Sequence, residues 1–285
     1  MLSVERLRKL EPIVRQAVEE LFGKARKSQI HPGDMLLLYA NGFAIGGKLL
    51  LGPGLLGIEY STQFRFFDTF RKEALAVSQA PGGIDPALRE FLVHLEMLAY
   101  LKIWEAEFFI RQLYQLAQLA QGKEYAWDFE VPTHNRDGSK QEIIRKDIRD
   151  ALKVLCPKFA QLITKCYRTQ IRNAIAHSQF SISGEVIGFS KYKQGSRDNP
   201  LSSLTFDAWG EYIHLTLLLQ NECTRCLQIE NEKYRNMSGA NGIEVRVPSL
   251  KAGATILLPD PRPDHPHGWL QKDVLEKIRA QGFPH

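Results

Sequence analysis

The sequence predicts a mainly α fold, and three observations carry that prediction. Apolar residues recur at helical spacing over most of the chain, with charged residues between them. Clusters of Gly, Pro, Asn and Asp cut these stretches into helix-sized pieces. Strand-like alternation is confined to short runs, one around Gly184 and two between residues 242 and 258. The expected architecture is an antiparallel helical bundle over residues 85–236 with a short β-hairpin in it. An N-terminal helical appendage, 1–80, precedes the bundle, and a small mixed extension, 240–285, follows it.

Residues 3–27 predict an amphipathic helix with Leu7, Leu10, Val14, Ala17, Val18 and Leu21 on one face. Pro12 marks a kink or a restart. His31-Pro32-Gly33-Asp34 predicts a turn. The stretch 35–58 is rich in Leu and Gly, with turn signals at Asn41-Gly42 and Gly46-Gly47, and predicts two or three short buried strands or loops. Lys48 is its only charge, but glycines and Pro53 break its apolar runs into pieces too short to cross a bilayer. The glycine spacing fits neither a P-loop nor a dinucleotide fingerprint. Residues 59–79 predict a helix burying Phe64, Phe67, Phe70, Leu75 and Ala76, and Ala80-Pro81-Gly82-Gly83 ends it.

Asp85-Pro86 is a cap followed by a residue preformed for the first helical position. It opens the longest predicted helix, which runs to Gln121 and stops at Gly122. Phe91, Leu92, Leu95, Leu98, Leu101, Trp104, Phe108, Leu113 and Leu116 make it apolar on most sides, so it is surrounded by other helices or faces a second subunit. It carries Glu96, Glu105 and Glu107. A polar loop with an Asn135-Arg136-Asp137-Gly138 turn follows, then a helix over 141–155. Pro157 starts the next helix, with Phe159, Leu162, Ile163, Cys166, Ile171, Ala174 and Ile175 on its core face. Residues 180–189 alternate around Gly184 as a hairpin, and a basic loop covers 191–200. Thr205 or Asp207 caps the last long helix, 206–236. Two strand-like runs, 243–247 and 254–258, a Pro-rich connector and a terminal helix over 269–281 complete the chain.

Composition narrows the function classes. The chain of 285 residues has a net charge of +5, compatible with a polyanionic partner. Its 4 cysteines do not form a disulfide framework, and a cytoplasmic location is expected. The N-terminus is charged within its first ten residues and has no apolar stretch of signal-peptide type. Cys223-Thr224-Arg225-Cys226 has metal-like spacing, with His214, Cys156 and Cys166 as remote partners. All lie in predicted helix or at its edge, so small buried residues at helical spacing are expected and no metal site is assigned. His265 and His267 in the Pro-rich connector receive no role.

The chemistry-bearing stretch is Arg172-Asn173-Ala174-Ile175-Ala176-His177. Asn173 and His177 are four apart and share a helix face, and the long side chain of Arg172 can swing to the same patch. Arg is a charged fork suited to phosphate, His exchanges protons near neutral pH, and an amide both donates and accepts. Read without other context, the same residues also suit a helix C-terminus, where cations are favoured. Lys165, Arg168, Lys191, Lys193 and Arg197 surround the motif in sequence, either as a track for RNA or as a solvated charge run. Tyr167 and Tyr192 either stack on bases or cap the core.

Arg172-Asn173-Ala174-Ile175-Ala176-His177 resembles the Arg-x4–6-His motif of the HEPN superfamily, in its Arg-Asn-x-x-Ala-His form. The resemblance covers roughly residues 85–236 and implies a HEPN-like helical bundle acting as an endoribonuclease without a metal or other cofactor. It implies His177 as general acid or base toward the ribose 2′-hydroxyl and the leaving oxygen, Arg172 as stabiliser of phosphate charge, and Asn173 as orienter. It also implies RNA as substrate, a homodimer joining two motif copies, a bacterial defence or toxin–antitoxin setting, and a regulatory or antitoxin partner. A silent HEPN-like module that binds a nucleotide or a protein is the alternative.

Overall fold

The computed structural model describes residues 3–40, 85–132, 139–196, 199–247, 253–260 and 268–280, with short pieces between 43 and 76. The chain is mainly helical, with small antiparallel sheets at its margins. The expected turns at 41–42, 46–47, 80–83 and 135–138 lie outside the described residues, as do Phe64, Phe67, Leu75, Arg197, His265 and His267. Of the set expected to be buried in 59–79, Phe70 is buried and Ala76 is exposed. Among the described residues, no helix is long and apolar enough to cross a membrane.

Helix α1, Val4–Ser28, is capped by the Ser3 hydroxyl and runs through Pro12, which sits on its exposed side. Its buried face, Val14, Ala17, Val18, Leu21, Phe22 and Ala25, packs into the main core. It is seated mainly on the longest helix, α8, Phe206–Ser238, and on α4, Glu107–Ala120. Two buried carboxylates of α8 fasten this seam. Glu222 is held by Arg225 at 2.7 Å and Arg15 at 3.5 Å, and Glu230 by Arg26 and by Lys233 at 3.1 Å. Each carboxylate thus meets a cation from both helices, which offsets the cost of burying it. Arg15 meets Glu222 and Arg26 meets Glu230, so the two helices run parallel. The helix expected within an N-terminal appendage therefore contributes a full face to the core of the bundle.

Helix α2, Asp34–Ala40, follows the turn at 31–33, and a small ribbon pairs β1, Phe43–Ile45, with β2, Lys48–Leu50. Helix α3, Pro86–Glu105, begins as its sequence dictates: the Asp85 carboxylate accepts the Ala87 N–H at 3.0 Å. The expected single helix over 85–121 is two, because Ala106 is extended (φ −67°, ψ 107°) between α3 and α4. A straight helix of that length would span about 50 Å, and the break lets both halves use the same core. Phe91 and Leu98 on α3 remain exposed.

The short α5, Lys140–Glu142, is capped by Ser139 and continues as a π-helix, Ile143–Asp150. The expected continuous motif helix is also broken, into α6, Pro157–Cys166, and α7, Thr169–Ala176, with Tyr167 and Arg168 extended. The hairpin forms as expected: β3, Phe180–Ser183, pairs with β4, Val186–Phe189, around Gly184 at φ +59°. A third strand, β5, Ser203–Thr205, joins β4, and Thr205 caps α8 by accepting the Ala208 N–H at 3.1 Å. A second sheet orders β6, Ile243–Arg246, beside β7, Ala254–Pro259, and β8, Trp269–Gln271, before α9, Lys272–Ala280. It docks on the bundle through Trp269, whose indole N–H donates to buried Asn231 at 2.7 Å.

Candidate functional site

Buried polar groups place the motif helix. The break at 167–168 frees backbone groups that the core must satisfy. Thr216 of α8 donates to the Cys166 carbonyl at 3.2 Å and accepts the Trp104 indole N–H at 3.4 Å. The Tyr100 hydroxyl accepts the Arg168 N–H at 3.3 Å. Tyr167 fills the space beneath, its ring 4.8 Å from Trp104. Short α7 therefore starts at a defined point on α3 and α8. Its face Ile171, Ala174 and Ile175 is buried, as the apolar spacing predicts.

The other end of α7 is a Schellman cap. Ser178 N–H reaches the Ile175 carbonyl at 3.3 Å, and Gln179 N–H reaches Ala174 at 2.8 Å. Ser178 sits at φ +52°, a left-handed position that glycine usually holds. The cap stops the helix at His177, which is exposed, and turns the chain into β3.

The three motif side chains are divided between two environments. His177 and Asn173 line one surface pocket of about 200 Å³ together with Gln170, Ala174, Gln179, Phe189, Lys191 and Asn199. Arg172 is outside that lining. Its side chain is only 19% exposed, against Glu105 at 30%, and the two form a salt bridge. Lys140 approaches the same carboxylate at 3.5 Å and donates to the Glu105 carbonyl at 3.2 Å. Of Glu96, Glu105 and Glu107, it is Glu105 that faces the motif. Glu96 is buried and accepts the Trp209 indole N–H at 2.9 Å, and Glu107 meets Lys140 at 3.5 Å.

Asn173 joins the two environments. Its Oδ1 accepts from Arg172 Nη1 at 2.8 Å and from Gln141 Nε2 at 2.9 Å. The opposite wall belongs to the loop between β4 and β5. Gln170 pins that loop with a two-bond clamp: Nε2 donates to the Leu201 carbonyl at 2.7 Å, and Oε1 accepts the Leu201 N–H at 2.9 Å. Within the loop, the Lys193 N–H donates to the Asn199 carbonyl at 3.1 Å.

Of the described cations expected to contact RNA, Lys191 alone lines the pocket. Lys165 is exposed on α6, Arg168 is half-buried ahead of α7, and Lys193 is exposed in the loop. Arg197 is outside the described residues. Tyr167 belongs to the core, while Tyr192 is exposed. Cys156, Cys166, Cys223 and Cys226 are buried free thiols, and burial pushes their pKa values up. His214 is buried among helices. Among the described residues, no group of three or more His, Cys, Asp or Glu is placed to hold a metal ion.

Gln141, Gln170, Gln179 and Asn199 were not singled out in the sequence. Gln170 carried a legible signal, since 170, 173, 174 and 177 share one helix face. Asn199 carried none, because only the fold of the 190–202 loop brings it to α7. No family model, no curated protein and no solved structure matches the chain.

Proposed function

We propose that the protein is a HEPN-type endoribonuclease that cleaves RNA by attack of a ribose 2′-hydroxyl, without a metal. The observation that carries this reading is His177, an exposed imidazole opening into a pocket with Lys191 and Asn173, one residue from the Arg172 charge. His177 takes the 2′-hydroxyl proton. The 2′-oxygen bonds to phosphorus, the bond to the 5′-oxygen breaks, and a protonated imidazole supplies the proton that the 5′-oxygen needs. Cations at the pocket lower the energy of the charged transition state. The products carry a 2′,3′-cyclic phosphate and a 5′-hydroxyl. DNA, which lacks the nucleophile, stays uncut.

A homodimer brings two copies of the motif, and the exposed apolar residues of α3 offer surface for it. A setting in bacterial defence or a toxin–antitoxin pair, with a partner protein that restrains the enzyme, follows from the resemblance. The test is cleavage of a labelled mixed-sequence RNA in EDTA by wild type and His177→Ala, both checked for folding by circular dichroism. Cutting that ends in cyclic phosphate and disappears in the variant is expected. Cutting that survives the substitution removes His177 from the chemistry.

The second reading is a silent module that holds a nucleotide or a partner protein. It is favoured by the salt bridge to Glu105, which already neutralises the Arg172 guanidinium. It predicts binding without cleavage at any concentration.

A further inference from the structure

We propose that the pocket beside His177 is a phosphate subsite in which Asn173 is a direct donor, and that Arg172 acts through Asn173 rather than on the phosphate. The inference rests on the RNA reading for its substrate and specifies how that substrate is held. Its structural ground is the division of polar groups around Asn173.

An amide has one accepting end and one donating end. The accepting end of Asn173 is taken twice, by Arg172 Nη1 at 2.8 Å and Gln141 Nε2 at 2.9 Å. Two donors on Oδ1 fix the amide and forbid the flipped arrangement, which would set three NH groups against one another. The end left over is Nδ2, a pure donor on a side chain that lines the pocket. The Arg172 guanidinium is itself held by Glu105, and the Glu105 carboxylate by Lys140. The chain Lys140, Glu105, Arg172, Asn173 therefore ends in an oriented N–H aimed away from the salt bridge. Lys191 and His177 add donors at the same pocket, and among the described residues no carboxylate lines it. A donor set of amide, ammonium and imidazole suits a phosphodiester oxygen. Gln179 and Asn199 lie at the same rim, with an amide each for the sugar or base that the phosphate carries. Arg172 is then a positioning residue, and its charge reaches the phosphate only across the amide.

The test separates binding from cutting by using a 2′-O-methyl RNA oligonucleotide, which carries phosphates but no nucleophile. Dissociation constants are measured by fluorescence anisotropy for the full chain. Asn173→Asp replaces the donor with a repelling carboxylate and is expected to weaken binding about 10-fold or more. Lys191→Ala is expected to weaken it several-fold and to reduce the salt slope by about one. The decisive readout is a double-mutant cycle. Arg172→Ala weakens binding in the wild-type background and has no further effect in an Asn173→Ala background, and Arg172→Lys recovers part of the loss. Equal losses from Arg172→Ala in both backgrounds would mean that Arg172 touches the phosphate itself, and the proposal fails. Unchanged affinity in Asn173→Asp and Lys191→Ala, with RNA still cut through His177, overturns the subsite and leaves the nuclease standing. The expected binding pattern without any cutting of ordinary RNA keeps the subsite and removes the nuclease.

Discussion

The guanidinium of Arg172 donates to the side-chain carbonyl of its chain neighbour Asn173 at 2.8 Å while its other nitrogens grip Glu105. Neighbours on a helix point about 100° apart, so the Arg side chain must curl across the face to make this bond. The salt bridge to Glu105 ties the end of α3 to the middle of α7. Glu105→Gln removes the charge of the ion pair and leaves Arg172 half-buried with a neutral partner. Stability should fall by about 1–2 kcal/mol, between the values for exposed and fully buried pairs. Urea unfolding with an unchanged slope and a lower midpoint is the expected result.

Ser178 gives a prediction of the opposite sign. It occupies a left-handed position at φ +52°, where a Cβ costs about 1 kcal/mol. Ser178→Gly should raise stability by about that amount and the melting temperature by about 2 °C, since the chain is large. Ser178→Val should lower both. Calorimetry of the two variants checks the pair, and the cap that positions His177 should survive the glycine.

Two buried groups respond to pH with opposite slopes. His214 accepts the Ser3 N–H on Nε2 at 2.7 Å and donates from Nδ1 to the Gly210 carbonyl, so the ring is neutral. Burial lowers its pKa from 6.5 to about 4. The unfolded chain then binds the proton first, and His214 costs stability as pH falls from about 6.5 to about 4, by about 3 kcal/mol at the limit. Asp34 is buried with its pKa raised from 3.8 to about 6, although the His31 N–H it accepts works against that rise. Its folded form holds the proton longer, so it costs stability as pH rises from about 3.8 to about 6. His214→Gln should flatten the acid side of the stability curve. Asp34→Asn should stabilise the protein at pH 7 and steepen the remaining rise with pH. Denaturant midpoints at half-unit pH steps would show both slopes, and parallel curves for wild type and the two variants would refute the assignment.

Gly33 governs how the C-terminal sheet seats. A Cβ there would lie 2.6 Å from Val245 Cγ1 and 2.8 Å from the Glu244 carbonyl. The second contact is backbone and cannot rotate aside. Gly33→Ala should cost about 2 kcal/mol by overpacking and should loosen the β6–β8 sheet before the bundle. Hydrogen exchange is expected to speed up first in residues 243–246 and 254–259.

Much of the helical fold was legible because it depends on local rules. The Asp85 and Thr205 caps form where their chemistry puts them. The hairpin turns at Gly184, and the residues expected on the core face of α6 and α7 are buried. The two helix breaks were not legible. Ala106 and Tyr167 carry no local breaking signal; distant groups bond the backbone beside each, Lys140 at the Glu105 carbonyl, and Thr216 and Tyr100 at Cys166 and Arg168. The third strand of each three-stranded sheet was missed for a similar reason, since three residues are too few to show alternation.

The sequence by itself determined the fold class, the caps and the presence of Arg172, Asn173 and His177 on one short helix, because these follow from composition and from contacts within a few residues. Only the tertiary structure decided what each does there. It placed Glu105 of α3 on Arg172, Gln141 on Asn173, and the Lys191–Asn199 loop across from His177. Those partners come from chain segments far from the motif, and a hydrogen bond depends on distances in space that spacing along one helix does not encode.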